Sequence, residues 1–380
     1  MKKFLAMLLA MTMTFGLAAC SSGGDKDPSS DDAKTVGISM PTKSLERWNR
    51  DGSYLEEQFK AAGYKVELKY ADNTATSQNN DIQNLIADGV DLLLIAAVDG
   101  NSLSQTLADA KDDNIPVIAY DRLIMNTDSI SYYVSFDNYT VGQKQGEYVV
   151  EALGLKLDDK SKTYNLEITA GDPADNNAGY FFNGAFDTLK PYIDAGILKI
   201  VSGKNTFEQC ATPAWSTDTA MENMQNTLAS YYSNGTVLDV ALCSNDSTAL
   251  GVTQAIKSDY KGTNTPIITG QDGDIANLKN IVDGAQSMTV YKNVSNEATV
   301  TLEVAKAILS GQKPGAELTS SFGDVECAYD TESYDNGTGK IPSYLLTPDV
   351  ITKDNLQKLV DTGLYKWDAN NKYLESATNE

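Results

Sequence analysis

The sequence predicts an α/β protein with two successive lobes, each built on a parallel sheet. Short apolar or β-branched runs alternate with helical patterns from residue 35 onward, and the alternation restarts near Val141. Strands that alternate with helices are typical of βαβ units on a parallel sheet. Residues 35–380 are also too many for one ordinary core. The two halves share this architecture without visible sequence repetition.

The first series contains an edge strand and a buried strand. The run at 65–70 alternates polar and apolar residues, as an edge strand does, whereas the run at 91–96 is almost continuously apolar. Gly63 ends the first helix. The strands are predicted at 35–40, 65–70, 91–96, 116–120 and 131–135, and the helices at 54–62, around 82–86 and at 103–110.

The second series repeats this order. Its helices are predicted at 141–153, 178–189 and 220–231, and its strands at 164–169, 198–201, 237–242 and 266–269. After Gly270 come another helix, a strand at 287–291 and a helix at 294–308. These last elements could complete either lobe.

The first 20 residues have the pattern of an export signal. Lys2 and Lys3 precede an apolar stretch from Phe4 to Leu17 that is too short to span a membrane. Residues 17–20 (LAAC) resemble the lipobox of bacterial lipoproteins, which implies that Cys20 is lipidated. An ordinary cleaved signal with an incidental cysteine is the alternative.

The segment 21–34 has no large apolar side chain, so we expect it to be a disordered tether. With a lipid on Cys20, the protein would be extracytoplasmic and held to the cell membrane only through that anchor. A tether of this length would let the folded part move above the membrane surface.

Composition excludes several functions. With 30 Lys plus Arg against 52 Asp plus Glu, the net charge of −22 disfavours nucleic acid and anionic lipid surfaces. The chain has no histidine, which removes Ser-His-Asp and Cys-His nucleophilic systems and His-ligated zinc. Cys210, Cys243 and Cys327 form no CxxC pair, and their spacing does not show whether any two of them are bonded.

Polar side chains follow nearly every predicted strand. Ligands of open parallel sheets bind at the carboxyl ends of the strands, so these side chains are candidates for one site. They include Lys43, Arg47, Trp48, Asp121, Arg122, Asp137, Asn138, Asp172, Asp175, Asn176, Asn177, Trp215, Ser244, Asn245, Asp246, Gln271, Asp272, Lys292 and Asn293.

Single members of this set also have plain structural explanations. Asp246 and Asn176 suit helix caps, Asp121 with Arg122 suits a surface ion pair, and the tryptophans suit core anchors. Their shared position favours a polyhydroxylated neutral ligand. Each sugar hydroxyl donates to carboxylate or amide oxygens and accepts from Arg, Lys or amide groups, while aromatic faces pack on the C–H side of the ring.

At this point the chain resembles the D-xylose-binding and multiple-sugar-binding proteins of bacterial ABC importers. The likeness covers nearly all of the chain after the tether, and its segments occur in the same order. The segments are GISMPTK at 37–43 with Arg47 and Trp48, VIAYDRLI at 117–124, SFDN at 135–138, GDPADNNA at 171–178, LKPYI at 189–193, SND at 244–246, TGQD at 269–272 and PSYLLTP at 342–348. The segment 322–332, which contains Cys327, has no counterpart in the resemblance.

The resemblance implies a type I periplasmic-binding-protein fold, in which two Rossmann-like parallel-sheet lobes are joined by a three-crossover hinge. It places the N-terminal lobe at 35–138 plus 272–313 and the C-terminal lobe at 139–271 plus 314–380. It implies a monomeric binding protein, with no catalytic residue, metal or cofactor, that delivers a monosaccharide to an ABC permease or reports it to a membrane sensor. The predicted sugar-binding residues are Lys43, Arg47, Trp48, Asp121, Arg122, Asp137, Asn138, Asn176, Asn177, Trp215, Asn245, Asp272 and Lys292.

Several alternatives stay open at the level of sequence. D-xylose is the first candidate ligand, followed by glucose, galactose and arabinose, because one side chain at the C4 or C5 end of the sugar decides among them. An exported glycosidase could use Asp121 and Asp272 as paired carboxylates. Arg122 next to Asp121 argues against this, because it favours an ionised carboxylate. A ligand domain of a transcription regulator would need a DNA-binding segment, which the sequence lacks, and would not be exported.

Overall fold

The computed structural model describes residues 33–377. The predicted signal peptide, Cys20 and residues 21–32 of the predicted tether lie outside the described residues. The strands are β1 (Thr35–Met40), β2 (Lys65–Tyr70), β3 (Leu92–Ile95), β4 (Val117–Tyr120), β5 (Tyr132–Phe136), β6 (Tyr164–Thr169), β7 (Leu198–Ile200), β8 (Val240–Cys243), β9 (Ile267–Ile268), β10 (Met288–Tyr291), β11 (Cys327–Asp330), β12 (Ser343–Leu346), β13 (Asp349–Thr352), β14 (Tyr365–Trp367) and β15 (Leu374–Ser376).

Helices separate most of these strands. They are α1 (Glu46–Ala61), α2 (Ala75–Ala87), α3 (Ser104–Asp112), α4 (Asn138–Leu153), α5 (Asn176–Asp194), α6 (Phe207–Cys210), α7 (Thr217–Thr227), α8 (Asp246–Asp259), α9 (Ile275–Asp283), α10 (Val294–Leu309) and α11 (Gln357–Asp361). Short 3₁₀ turns span Pro213–Trp215, Ala316–Ser321 and Lys353–Asn355, and a π-turn spans Leu228–Tyr232. Within residues 33–377, every helix is too short or too polar to cross a membrane.

The first sheet has the order β11-β12-β5-β4-β3-β1-β2. All neighbours run parallel except β11, which is antiparallel to β12. Strand β2 lies at the edge, as its alternating pattern predicts. Alternate residues of β3 enter different apolar layers, with Leu92 and Leu94 on one face and Leu93 and Ile95 on the other. This double burial explains why the strand is a continuous apolar run.

The second sheet has the order β7-β6-β8-β9, and all of its strands run parallel. Strand β10 continues it through the bridge from Gln271 to Val290, and β13 pairs antiparallel with β10. Helices α4 and α5 pack closely beside this sheet. A Cβ at Gly142 or Gly184 would collide with the backbone of the facing helix, so glycine permits this close approach. The α/β class and the two parallel sheets are as predicted.

Within residues 33–377, the chain passes between the two halves three times, near residues 137, 292 and 347. At the first passage, β5 belongs to the first sheet and the next element, α4, packs on α5. At the second, β10 extends the second sheet and the next element, α10, packs on α1. At the third, β12 pairs with β5 and the next strand, β13, pairs with β10. We therefore use "first lobe" for residues 34–137 and 293–346, and "second lobe" for residues 138–292 and 347–377.

These bounds correct the expected division of the carboxyl-terminal third. Strands β11 and β12 hydrogen-bond into the first sheet, so residues 327–346 do not belong to the second lobe as predicted. Helix α9 packs on α8 and β10 pairs with β13, so residues 275–291 do not belong to the first lobe. Both errors arise because the last βα units are split between the lobes, and their local patterns do not show which sheet receives them.

The segment 322–332, which had no assigned place, extends the first sheet. Phe322 is buried in the core against Tyr344, and Cys327 to Asp330 forms the outermost strand β11. Cys210, Cys243 and Cys327 are all free thiols. No disulfide therefore joins the two lobes within the described residues.

Candidate functional site

A pocket lies between the two lobes, at the carboxyl ends of strands from both sheets. Its empty space, counted together with the solvent at its opening, is about 390 Å³. The predicted site residues that line it are Arg47, Trp48, Asp121, Arg122, Trp215, Asn245, Asp272 and Lys292. Its other lining residues are Leu45, Asp175, Phe181, Ser247, Gln271 and Asp274.

The charged wall of the pocket consists of Arg47, Lys292 and the carboxylates that they contact, and Arg47 lies at its centre. It lies in the first turn of α1, which begins eight residues earlier than the sequence pattern predicts. Its Nη2 donates to Asp121 Oδ2 at 2.5 Å and to Glu297 Oε2 at 3.2 Å. Its Nε donates to Asp51 Oδ2 at 3.2 Å, and its Nη1 donates to Asp272 Oδ1 at 3.3 Å. One guanidinium thus compensates four buried carboxylates that come from both lobes.

Lys292 is the second cation of this wall, and it lies where the chain passes between the lobes for the second time. Its Nζ donates to Asp121 Oδ2 at 3.2 Å and lies 3.7 Å from Asp272 Oδ1. The same nitrogen lies 5.4 Å from the centroid of the Phe181 ring. Asp121 and Asp272 therefore share Arg47 and Lys292 as cationic partners. Arg122, the sequence neighbour of Asp121, does not pair with it.

Three pocket residues have backbone angles that L-residues rarely adopt. The φ angle is 57° at Asp121, 106° at Asp272 and 54° at Trp215. Such conformations cost on the order of 1–3 kcal/mol each and cluster at ligand sites. Their occurrence at three lining residues supports a functional reading of this pocket over a purely structural one.

The strained backbone at Asp121 is held by its own carbonyl oxygen. This oxygen accepts from Tyr133 Oη at 2.7 Å, Ser135 Oγ at 2.8 Å and Asn177 Nδ2 at 2.7 Å. Tyr133 and Ser135 lie in the first lobe, whereas Asn177 lies in the second. The position of the Asp121 side chain is thus fixed by both lobes.

Aromatic rings form the other walls. The guanidinium carbons of Arg47 and Arg122 lie 5.1 and 5.0 Å from the centroid of the Trp48 ring. Trp215 donates from Nε1 to Asp175 Oδ2 at 3.2 Å, and the same oxygen lies 3.0 Å from Arg122 Nε. These contacts fix the positions of both indole groups.

Gly171 permits the position of Trp215. A Cβ at residue 171 would collide with the six-membered ring of the indole, so only glycine leaves room for it. Trp215 itself belongs to a 3₁₀ turn just before α7. Trp215, one of the predicted sugar-binding residues, thus lines the pocket.

The second lobe also supplies neutral polar groups. Asn245 is the N-cap of α8 and accepts from the Thr248 N–H at 3.0 Å, so it both caps a helix and lines the pocket. Gln271 donates to the Ser244 carbonyl at 3.3 Å. Its buried Oε1 has no hydrogen-bond partner among residues 33–377, which leaves it available to a ligand.

Five predicted residues are not brought to the pocket lining: Lys43, Asp137, Asn138, Asn176 and Asn177. Lys43 is exposed, with Nζ 4.8 Å from the centroid of the Tyr70 ring. Asp137 caps α4, and Asn176 is the first residue of α5. Asn138 and Asn177 both hydrogen-bond to the Tyr133 hydroxyl. Because this hydroxyl donates to the Asp121 carbonyl, the two residues help to position Asp121 without lining the pocket.

Burial raises the pKa of three carboxyl groups at or beside this site, those of Asp272, Asp274 and Glu297. Loss of solvent raises the pKa of Asp272 to about 7 and that of Asp274 to about 6, even though Arg47 and Arg50 favour the ionised forms. Burial and the nearby Asp121 raise the pKa of Glu297 well above its ordinary value. Burial alone would lower the pKa of Arg47, but the carboxylates, Asp121 foremost, raise it above its ordinary value.

These shifts predict how stability depends on pH. Asp272 and Asp274 bind protons more tightly in the folded state than in the unfolded state, where their pKa is near 3.8. Their contribution to the free energy of unfolding is therefore largest below about pH 4 and is lost as the pH rises through about 6 to 7. Urea titrations across this range measure the free energy of unfolding at each pH. This free energy should fall less with rising pH in the Asp272→Asn variant than in the wild type. In the control Asp112→Asn, at an exposed position, it should fall as much as in the wild type. Equal profiles for wild type and Asp272→Asn would contradict the prediction.

Comparison with known proteins identifies the family. A model of the periplasmic binding protein domain matches residues 36–313. The multiple sugar-binding periplasmic receptor ChvE of Rhizobium radiobacter is 41% identical over 341 residues, which are 89% of this chain and 92% of that protein. The D-xylose-binding periplasmic protein of Escherichia coli K12 is 33% identical over 326 residues, which are 86% of this chain and 88% of that protein.

A solved structure extends the comparison to three dimensions. An ABC transporter solute-binding protein from Clostridium phytofermentans, crystallised with bound β-D-glucose, is 50% identical and has a TM-score of 0.82, covering 89% of this chain and 99% of that chain. These relatives are solute-binding proteins rather than enzymes. The chain therefore belongs to the periplasmic binding protein domain family and has its type I fold, as the sequence predicts.

Proposed function

We propose that this protein binds a monosaccharide between its lobes and delivers it to the permease of an ABC importer. The observation that carries this proposal is the composition of the pocket wall. Shared carboxylates and cations, an unpartnered amide oxygen on Gln271 and the rings of Trp48, Trp215 and Phe181 meet in one pocket. Sugars need this combination, because each hydroxyl both donates and accepts while the ring presents apolar C–H groups.

The arrangement also suits discrimination between sugars. The charged groups are already paired with one another, so a ligand meets a wall whose donors and acceptors are fixed in place. A wrong epimer would leave a buried polar group unpaired, at a cost of about 1–3 kcal/mol. We infer that recognition depends on hydrogen-bond geometry more than on net charge.

D-xylose and D-glucose are the first ligands to test. Relatives of this chain include a D-xylose-binding protein and a structure with bound β-D-glucose. D-galactose and L-arabinose are the next candidates. A thermal-shift panel of these four sugars should show one or more stabilising ligands, because a ligand at about 100 times its dissociation constant adds about 2.7 kcal/mol. No shift with any aldopentose or aldohexose would contradict the proposal.

We further propose that a monomer is the working form and that an ABC permease is its partner. A membrane sensor is the alternative partner. Transport assays separate the two, because loss of the protein would abolish uptake of its sugar only if the partner is a permease.

We also propose that Cys20 carries a lipid that holds the protein at the cell membrane. The residues before it, with the pattern of a lipobox, support this assignment. Cys20→Ala is expected to move the protein from the membrane fraction to the soluble exported fraction, while sugar affinity is unchanged. Cys210→Ala is the matched control, since this buried thiol lies in the folded body. Membrane retention of the Cys20→Ala variant would contradict the anchor.

A further inference from the structure

One face of α1, whose own residues do not line the pocket, contacts the second lobe beside it. Glu46, Arg50 and Tyr54 are spaced by four residues and therefore share this face. Tyr54 packs against the apolar cluster of the second lobe that contains Leu278 and Tyr365. Glu46, Arg50 and Tyr54 do not line the sugar pocket, although Arg47 on the same helix does. The face thus joins the lobes by contacts that a ligand need not touch.

Glu46 caps a helix of the opposite lobe. The Ile275 N–H, at the first residue of α9, donates to both carboxylate oxygens of Glu46 at 3.2 Å. The N-cap residue of that helix, Asp274, makes no side-chain capping bond of its own. A carboxylate at a helix N-terminus satisfies a free N–H group and interacts favourably with the helix dipole.

Arg50 connects this cap to the second lobe. It donates from Nη1 to Glu46 Oε1 at 2.9 Å, and from Nη2 to Asp274 Oδ1 at 3.2 Å and to the Asp272 carbonyl at 2.8 Å. Its guanidinium carbon lies 5.8 Å from the centroid of the Tyr365 ring. The planar guanidinium thus orients Glu46 on one side and binds the second lobe on the other.

We propose that Glu46 and Arg50 form a latch that stabilises the closed arrangement of the lobes and so sets sugar affinity without contacting the sugar. This inference rests on the proposed function, because it assumes that the lobes open and close around a ligand. The cap on α9 and the bonds from Arg50 cross between lobes, so opening breaks them. Apparent affinity scales with the fraction of protein in the binding-competent form, so a weaker latch raises the dissociation constant in proportion.

The helix itself offers a matched control. Glu56 and Lys60 form an ion pair of the same i, i+4 spacing on α1, at 2.6 Å, but this pair is partly exposed and does not reach the second lobe. Arg50→Gln, Glu46→Gln and Lys60→Gln should be compared by sugar titration calorimetry and by X-ray scattering without sugar. Arg50→Lys tests geometry, because an ammonium keeps the charge but cannot reproduce the planar fork.

Arg50→Gln is expected to raise the dissociation constant about tenfold and to enlarge the sugar-free protein. Glu46→Gln should do the same to a smaller extent, Arg50→Lys should recover part of the loss, and Lys60→Gln should match the wild type. If Arg50→Gln does not fold, Glu46→Gln carries the test. The latch is refuted if Arg50→Gln or Glu46→Gln matches Lys60→Gln in both affinity and scattering. Failure of the wild type to bind any sugar would refute the proposed function instead, and the sugar-free scattering of the variants would still test the latch.

Discussion

Replacing Arg47 with methionine is expected to lower the free energy of unfolding by about 3–5 kcal/mol at neutral pH. The methionine would fill much of the space of the aliphatic chain but would leave Asp51 and Glu297 buried without the cation that now contacts both. Uncompensated buried carboxylates are costly, and they reduce the cost by taking up protons. Urea denaturation at pH 7.5 and pH 5 measures the effect, which should be smaller at the lower pH.

Lys190→Met is the control for this experiment. Lys190 also pairs with a carboxylate, Asp194, at 2.8 Å, but both side chains are more than half exposed. Exposed pairs contribute about 0–1 kcal/mol, so this variant should be nearly as stable as the wild type. If Arg47→Met cost no more than Lys190→Met, Arg47 would not be the charge centre of the interlobe wall.

Asp121→Asn is expected to weaken sugar binding by about 10- to 100-fold, because hydrogen bonds to charged groups contribute about 1.5–3 kcal/mol. Asparagine keeps the shape of the side chain and tolerates the left-handed backbone found at this position. It removes the charge that binds Arg47 and Lys292 and that we expect to accept a sugar hydroxyl. Titration calorimetry with D-xylose and D-glucose measures the change.

The matched control is Asp72→Asn. Asp72 also has a left-handed backbone, with a φ angle of 48°, but it is exposed and lies outside the pocket. The same substitution there should leave the dissociation constant unchanged. A wild-type affinity in the Asp121→Asn variant, with normal folding, would show that the sugar does not use this carboxylate.

The fold could be predicted from the sequence because each strand is bounded by its own local pattern. Strands such as β1, β2 and β6 have the predicted limits, since their apolar runs depend only on burial in a sheet. The start of α1 could not be found in this way. Its first turns contain Arg47, Asp51 and Gly52, which are buried by ion pairs and close packing rather than by an apolar stripe.

The site was predictable in part for a similar reason. Residues just after strands, such as Asp121 after β4 and Asp272 four residues after the end of β9, reach the pocket because the carboxyl ends of parallel strands converge there. Glu297 could not be found, because it lies on a helix 250 positions from its partner Arg47 and has no local signal. Asp175 follows a strand, yet the resemblance favours its neighbours Asn176 and Asn177, which the first turn of α5 directs away from the pocket lining.

The most direct test of the account is a crystal structure of the protein grown with saturating D-xylose or D-glucose. We expect one sugar ring in the pocket between the lobes, with hydroxyls bonded to Asp121 of the first lobe and to Asn245 or Gln271 of the second. Trp48, Trp215 or Phe181 should pack against its C–H groups. A sugar bound elsewhere, or bound to one lobe alone, would contradict the account.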